Sequence, residues 1–236
     1  MPMTPRTPTR RPLRALVGDR SGLAFIEFAY SLPFILMLGV LGIETANLAV
    51  TNMRVSQIAL NLADNASRVG ERTALATQQL READINDVLQ AVVLQGDDLA
   101  LTRRGRVTLS SLEADNDGVQ RLHWQRCIGM RSGSGYDSTY GTAPVTAGTQ
   151  PGPSFAGTLM PDGIGPEARK VRAPNNSGVM FVEVNYDYRP IIDLYGMPTR
   201  RIHYTASFIV RDNRDFSQVF NPAPTATRST CDRYTA

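Results

Sequence analysis

Residues 21–48 read SGLAFIEFAYSLPFILMLGVLGIETANL, a long apolar run with a glycine at its mouth and a carboxylate, Glu27, five residues further on. If residues 23–48 are helical, 26 residues at ~1.5 Å each span about 39 Å, enough to cross a hydrocarbon core of ~30 Å with some tilt. The stretch is therefore expected to be a membrane helix. A carboxylate in such a helix costs about 2.5–3.5 kcal/mol on insertion scales, so Glu27 is expected to have a partner or a task. An acid that snorkels to the interface near the helix end is the plainer alternative. Pro33 lacks an N–H and is expected to kink the axis, a defect that neighbouring helices in an assembly can accommodate.

The residues in front fix an orientation. Residues 1–22 carry Arg6, Arg10, Arg11, Arg14 and Arg20 against one acid, Asp19, and hold Pro2, Pro5, Pro8 and Pro12. Such a leader is expected to be an unstructured cytoplasmic tail that keeps the N-terminus inside. The first 60 residues contain no Ala-x-Ala cleavage site and no cysteine for lipidation, which disfavours ordinary secretion. The pair Arg10-Arg11 is followed by Pro12 and not by the apolar residues of a twin-arginine signal.

Gly22, then Leu23-Ala24-Phe25-Ile26, then Glu27-Phe28 resembles the prepilin-peptidase site of type IV pilin-related proteins. The longer string of Arg20-Ser21-Gly22, Ile26-Glu27-Phe28-Ala29, Leu32-Pro33 and Gly42-Ile43-Glu44 is similar to the TadE-like pseudopilins of tight-adherence (Flp-type IVb) pilus systems. The resemblance is specific over about 50 residues; beyond them, residues 179–188 and the two cysteines broadly resemble the extracytoplasmic part of that family. It implies a cut between Gly22 and Leu23 by a prepilin peptidase, a new amino group on Leu23, and a helix that packs against other pilins and minor pilins, with Phe28 and Pro33 in the assembling surface. It also implies an inner-membrane pilus assembly platform as partner. For Glu27 it supplies the terminal ammonium of a neighbouring subunit, a sensible arrangement because a buried carboxylate is tolerated beside an opposite charge. The implied location is the bacterial inner membrane, single-pass, with the C-terminal domain periplasmic and reaching the cell surface in an assembled pilus. An uncleaved, signal-anchored envelope sensor or scaffold is the alternative.

Charge supports this division. The whole chain has 25 basic and 22 acidic side chains, a net charge of +3. Without the leader's five arginines and one aspartate, 20 basic and 21 acidic remain, a net charge of −1 over 214 residues. No basic stripe survives for a nucleic-acid interface. The remainder suits one domain plus the helix, 49–236 and 23–48, with no internal repeat.

The chain has two cysteines, Cys127 and Cys231. The helix places both outside the cytoplasm, where a bridge is expected; two unpaired buried thiols are the alternative. Closing so long a loop contributes about 4–5 kcal/mol in the chain-entropy model. A metal site from Cys127, His123 and Cys231 matches no zinc spacing.

Beyond the membrane stretch, Leu48, Val55, Ile58, Ala59, Leu62, Ala66 and Val69 recur at three- and four-residue steps, with Arg54, Gln57, Asn61, Asn65 and Arg68 opposite. The helix is therefore predicted to continue as an amphipathic element until Gly70. Residues 73–94 predict one or two further helices with Leu80, Ile85, Val88, Leu89 and Val92 inward and Gln78, Arg81, Glu82, Asn86 and Asp87 outward. Residues 106–112 and 119–126 predict a hairpin around Asp115-Asn116-Asp117-Gly118, with Leu122 and Trp124 on one face and His123 on the other. Glu113, Asp115, Asp117 and Gly118 follow the early spacing of a calcium loop, but Trp124 stands where a bidentate glutamate belongs, so a plain turn is expected and calcium remains the lesser reading.

Residues 129–177 turn to Gly, Ser, Thr and Pro without apolar period, which predicts a flexible loop, functional or disordered. Residues 179–189 alternate cleanly as a strand and residues 201–211 as its antiparallel neighbour, joined through Gly196 and Pro198, with Tyr204, Ala206, Phe208 and Val210 on one face. Residues 212–236 read as coil. No catalytic constellation emerges: strand alternation would set His123 and Cys127 on one face about 13 Å apart, too far for a nucleophile and base. The expected architecture is α+β, a long N-terminal helix, transmembrane in its first half, packed in its second on an antiparallel sheet of about four strands. No cofactor and no enzymatic activity are expected.

Overall fold

The computed structural model describes residues 22–72, 77–192 and 200–236. Residues 1–21 of the leader, the first four residues of the expected helical stretch 73–94, and the Gly196 and Pro198 connection lie outside them. The chain divides into two units, Met1–Ala46 and Asn47–Ala236. Helix α1, Leu23–Arg68, contributes residues to both.

In the second unit a five-stranded antiparallel sheet runs in the order β5-β4-β3-β6-β7. Its strands are β3 (Gly105–Ala114), β4 (Gln120–Ile128), β5 (Thr158–Leu159), β6 (Ser177–Tyr188) and β7 (Arg200–Ile209). The fold is α+β, with one strand more than the sequence predicts, because β5 is a two-residue addition beside Arg121 and Leu122. Two strands of a small ribbon, β1 (Glu71–Arg72) and β2 (Gln78–Gln79), follow α1, and helices α2 (Glu82–Gly96) and α3 (Leu101–Arg104) lead into β3. The β3–β4 turn is closed by Asp115, whose Oδ1 accepts the amides of Asp117 and Val119 at 3.0 and 2.9 Å. Gly118 takes φ +77° there, which a side chain would resist.

One face of the sheet is covered by helices. Val55, Ile58, Ala59, Leu62 and Ala66 of α1 and Ile85, Val88, Leu89 and Val92 of α2 meet Leu109, Trp124, Val182, Val184 and Ala206 in one buried cluster. The predicted helical period is the buried stripe, and Arg54, Gln57, Asn61, Asn65 and Arg68 are exposed as the pattern requires. Helix α1 ends at Arg68, where Gln78 Nε2 donates to the carbonyls of Arg68 and Gly70 and Arg214 Nη2 donates to those of Ala66 and Val69. These bonds satisfy carbonyls that a helix end leaves without partners.

Several sequence expectations are corrected. Residues 77–81 are not helical: Gln78 N bonds to Asn213 O, Asp215 N to Gln78 O, Phe220 N to Leu80 O and Glu82 N to Phe220 O, at 2.8–2.9 Å. This ladder with the C-terminal coil uses the backbone groups that a helical turn would need. Gln78 and Glu82, expected outward, are buried. Leu122 and Trp124 lie on opposite faces, because a bulge leaves His123 without a partner between Ser111↔Trp124 and Leu112↔Leu122 and so reverses the alternation. The same bulge separates His123 from Cys127.

Residues 129–177 form a layer over the sheet's other face and are not a free loop. Ala147, Ile164 and Ala173 are buried, two of them beside Leu112, Leu122, Val179 and Phe181. Side-chain amides fasten this layer. Gln120 exchanges two hydrogen bonds with the Ala173 backbone, at 2.8 and 2.9 Å, and Gln125 accepts from Ala143 N while donating to Gly141 O. Asn185 donates to Tyr136 O, and Glu183 accepts from Thr139. Polar attachment of this kind leaves no apolar period in the attached segment.

Glu82 is the anion at the centre of the helix-covered side. Its carboxylate is fully buried and accepts from Arg126 through Nε at 2.8 Å and through Nη2, and from Arg228 Nε at 3.2 Å. Replacing Glu82 by Gln leaves the Arg126 cation in the interior without its anion, and breaking such a pair costs about 3–5 kcal/mol. Urea denaturation should show that loss for Glu82→Gln and a smaller one for Arg228→Gln, whose side chain is 39% exposed. A Glu82→Gln midpoint equal to wild type would remove the pair from the account of stability.

Candidate functional site

The residues singled out at the start of the apolar run occupy the first turns of α1. Gly22 precedes the helix directly and its carbonyl accepts the Ile26 amide at 3.1 Å, so the first turn forms on Leu23, Ala24 and Phe25. From there the surface is apolar and open. Phe25 is 75% exposed, Phe34 70%, and Leu23, Ile26, Phe28, Ile35, Leu36, Met37 and Leu38 are all more than half exposed. The most apolar 18-residue window is entirely unburied, and the helix is long and apolar enough to cross a bilayer. That makes it compatible with a single-pass membrane anchor.

Glu27 and Phe28 are both exposed, and the Glu27 carboxylate has no cation beside it among the described residues. An unneutralised acid on an otherwise apolar face is costly in hydrocarbon. Pro33 lies inside the helix, which continues through it to Arg68. Its missing N–H leaves the Ala29 carbonyl without its intrahelical donor. One residue earlier, the Phe28 carbonyl accepts from Ser31 Oγ at 3.1 Å. Gly39 and Gly42 have open space where a side chain would project, so a second helix could approach closely there.

The cysteines form a disulfide, Cys127–Cys231, with a sequence separation of 104. Around it, the C-terminal residues are held on β3 and β4. Cys127 N donates to Ser229 O, and Arg106 donates to the carbonyls of Gly129, Cys231 and Arg233 at 2.6–2.8 Å. The Tyr234 ring sits 4.2 Å from the Arg106 guanidinium carbon. Sequence reasoning missed this clip and the Glu82 pair. An arginine within a predicted strand, as at the ends Arg106 and Arg126, was the available signal, since it must find acceptors when the strand is covered on both faces.

The Glu113 carboxylate is engaged by neighbouring side chains on β3 and β4. Its Oε2 lies 2.5 Å from His123 Nδ1 and its Oε1 accepts from Ser111 Oγ at 2.6 Å. Among the described residues no cluster of three or more His, Cys, Asp or Glu side chains could hold a metal ion. Beside the pair is a cleft of about 300 Å³ lined by Arg121, Pro153, Ala156, Phe216 and Ser217.

No family model matches the chain, and comparison with curated proteins and with solved structures likewise gives no match.

Burial of His123 works against its charged form, but the hydrogen bond and charge of Glu113 outweigh burial and the opposing Arg121 and Arg126, so its pKa is raised. The sign of the linkage follows. Stabilisation by the pair is complete below about pH 6.5, the ordinary histidine value, and is lost as pH rises through the elevated folded value. The difference in unfolding free energy between wild type and His123→Gln should therefore shrink from pH 6 to pH 9. A constant or widening difference would contradict the pairing.

Proposed function

We propose that this chain is a non-enzymatic minor pilin or pseudopilin of the TadE-like kind, a subunit that primes or caps a tight-adherence type IV pilus. The observation that carries the reading is the placement of Gly22. It ends the leader immediately before a helix whose first turns are apolar, open and interrupted by one acid at the fifth position after the glycine. A peptidase cutting after Gly22 frees an amine on Leu23. That amine, on one subunit, and Glu27, on its neighbour, then neutralise each other where water is absent, an interaction that strengthens as the local dielectric falls. Burial of Phe25, Phe28 and Phe34 between helices supplies the non-specific part of the assembly energy.

In this reading residues 1–22 are cytoplasmic, 23–48 span the inner membrane before assembly, and the disulfide-bonded domain is periplasmic. The partners are other pilins, the prepilin peptidase and the assembly platform. The Cys127–Cys231 bridge supports an oxidising location for the domain.

The N-terminus of the protein purified from its native cell discriminates. Mass spectrometry should find Leu23 as the first residue, and Gly22→Ala should abolish or severely slow processing. Glu27→Ala should leave cleavage intact and reduce pilus number or length, scored by electron microscopy. An intact arginine-rich leader would instead identify an uncleaved anchored envelope protein, and normal piliation with Glu27→Ala would remove the charge pairing.

A further inference from the structure

Strand β7 closes one side of the sheet and pairs with β6 alone. The pairing runs in unbroken register from Arg200↔Tyr188 to Ile209↔Val179, without a bulge. Among the described residues no other element hydrogen-bonds to its backbone. Among the described residues its outer edge therefore leaves the N–H and C=O groups of alternate residues unpaired along a ten-residue strand. Proteins that keep such an edge solitary shorten it, bulge it, or interrupt it with proline or an inward charge. The sequence RRIHYTASFI does none of these past its first two positions. The opposite edge differs, since β5 is two residues long.

Along this edge the layer of residues 129–177 leaves a cleft of about 400 Å³. Its floor is Phe181, His203, Thr205 and Ser207, and its walls include Tyr140 and Arg169. His203 is fixed on both sides, Nδ1 at 2.8 Å from Asn185 Oδ1 and Nε2 at 3.1 Å from Tyr140 Oη. Among the described residues the hydroxyls of Thr205 and Ser207 and the guanidinium of Arg169 have no partner. The cleft is thus a preformed apolar and hydroxyl-bearing trough with one unsatisfied cation.

Charge selects the occupant. Among the described residues Arg169, Arg200 and Arg211 have no ion-pair partner, Arg201 stands over the Tyr136 ring, and β7 has no acid. Antiparallel pairing of β7 with a second copy of itself would bring Arg200 and Arg201 of one chain toward Arg211 of the other, and opposed like charges destabilise a strand pair. An extended segment with acidic side chains satisfies both the backbone row and the arginines.

We infer that β7 is a docking edge at which an extended acidic segment of a partner protein adds a sixth strand to the sheet, its alternate side chains flanking His203, Thr205 and Ser207 and one carboxylate meeting Arg169. This mode takes affinity from main-chain hydrogen bonds and selectivity from alternate side-chain pockets. It does not depend on whether the N-terminal helix is processed.

The test uses the full chain in detergent micelles and an array of decapeptides with glutamate or aspartate alternating with valine, threonine or tyrosine. The best binder should slow amide hydrogen exchange within residues 200–209. N-methylation along one edge of that peptide, or Arg169→Glu in the protein, should each weaken binding about tenfold or more, and Arg169→Gln by less. The lysine-substituted peptide should not bind. The inference is overturned if no peptide slows exchange in β7, if N-methylation leaves affinity unchanged, or if β7 becomes protected by protein concentration alone, which would show self-pairing.

Discussion

One buried carboxylate ties the domain together. Glu82 begins α2, yet it lies wholly inside, where an isolated charge is prohibitively costly. It is tolerated because Arg126 reaches it from β4 and Arg228 from the C-terminal coil. Three segments distant in sequence are thereby fixed relative to each other. Once that geometry holds, Asn86 one turn on can accept from Ser229 Oγ and donate to Thr227 O. The nearby backbone of residues 78–82 can then run beside residues 213–220 as a ladder. The coil-like tail is structural because this ion cluster and the Cys127–Cys231 bond hold it at two points.

The two faces of the sheet are covered by different physics. On one, helices bury branched aliphatic side chains, and the energy comes from apolar area removed from water. On the other, glutamine, asparagine and glutamate side chains of the strands satisfy the backbone of an irregular segment, while a smaller apolar cluster fills the space beneath. Buried amides that satisfy all their partners add little net stability but are expensive to leave half-made, so they specify one arrangement of the covering layer. The cleft beside Arg169 is the place where that layer stops short of the edge.

Legibility followed the same division. The long helix, its buried stripe and the strands at 105–114, 120–128, 177–188 and 200–209 were readable because apolar periodicity reports burial on one side. Glu27 and Pro33 stood out because an acid and a proline are anomalous in an apolar run, whereas Gly22 and Phe28 were singled out only through the resemblance to a prepilin-peptidase site. What could not be read depended on contacts far apart in sequence. Nothing local distinguishes Glu82 from a solvated helix-start acid, and nothing in the residues around His123 marks the bulge that sends Leu122 and Trp124 to opposite sides. Residues 129–177 looked structureless because much of their attachment uses Gln120, Gln125 and Asn185 on the strands, while the few apolar residues they bury, such as Ile164 and Ala173, follow no period. Arg214, which closes the end of α1, lies in a stretch without period or motif.

That closure has a mechanical consequence. The last carbonyls of α1 are gripped by Arg214 and by Gln78, and the chain carrying Arg214 leads on to a covalent tie at Cys231. Tension applied along the helix therefore passes into a closed molecular loop and is shared by the sheet through Cys127. The tail cannot peel away one hydrogen bond at a time, so the domain resists being unzipped from the end at which it is pulled.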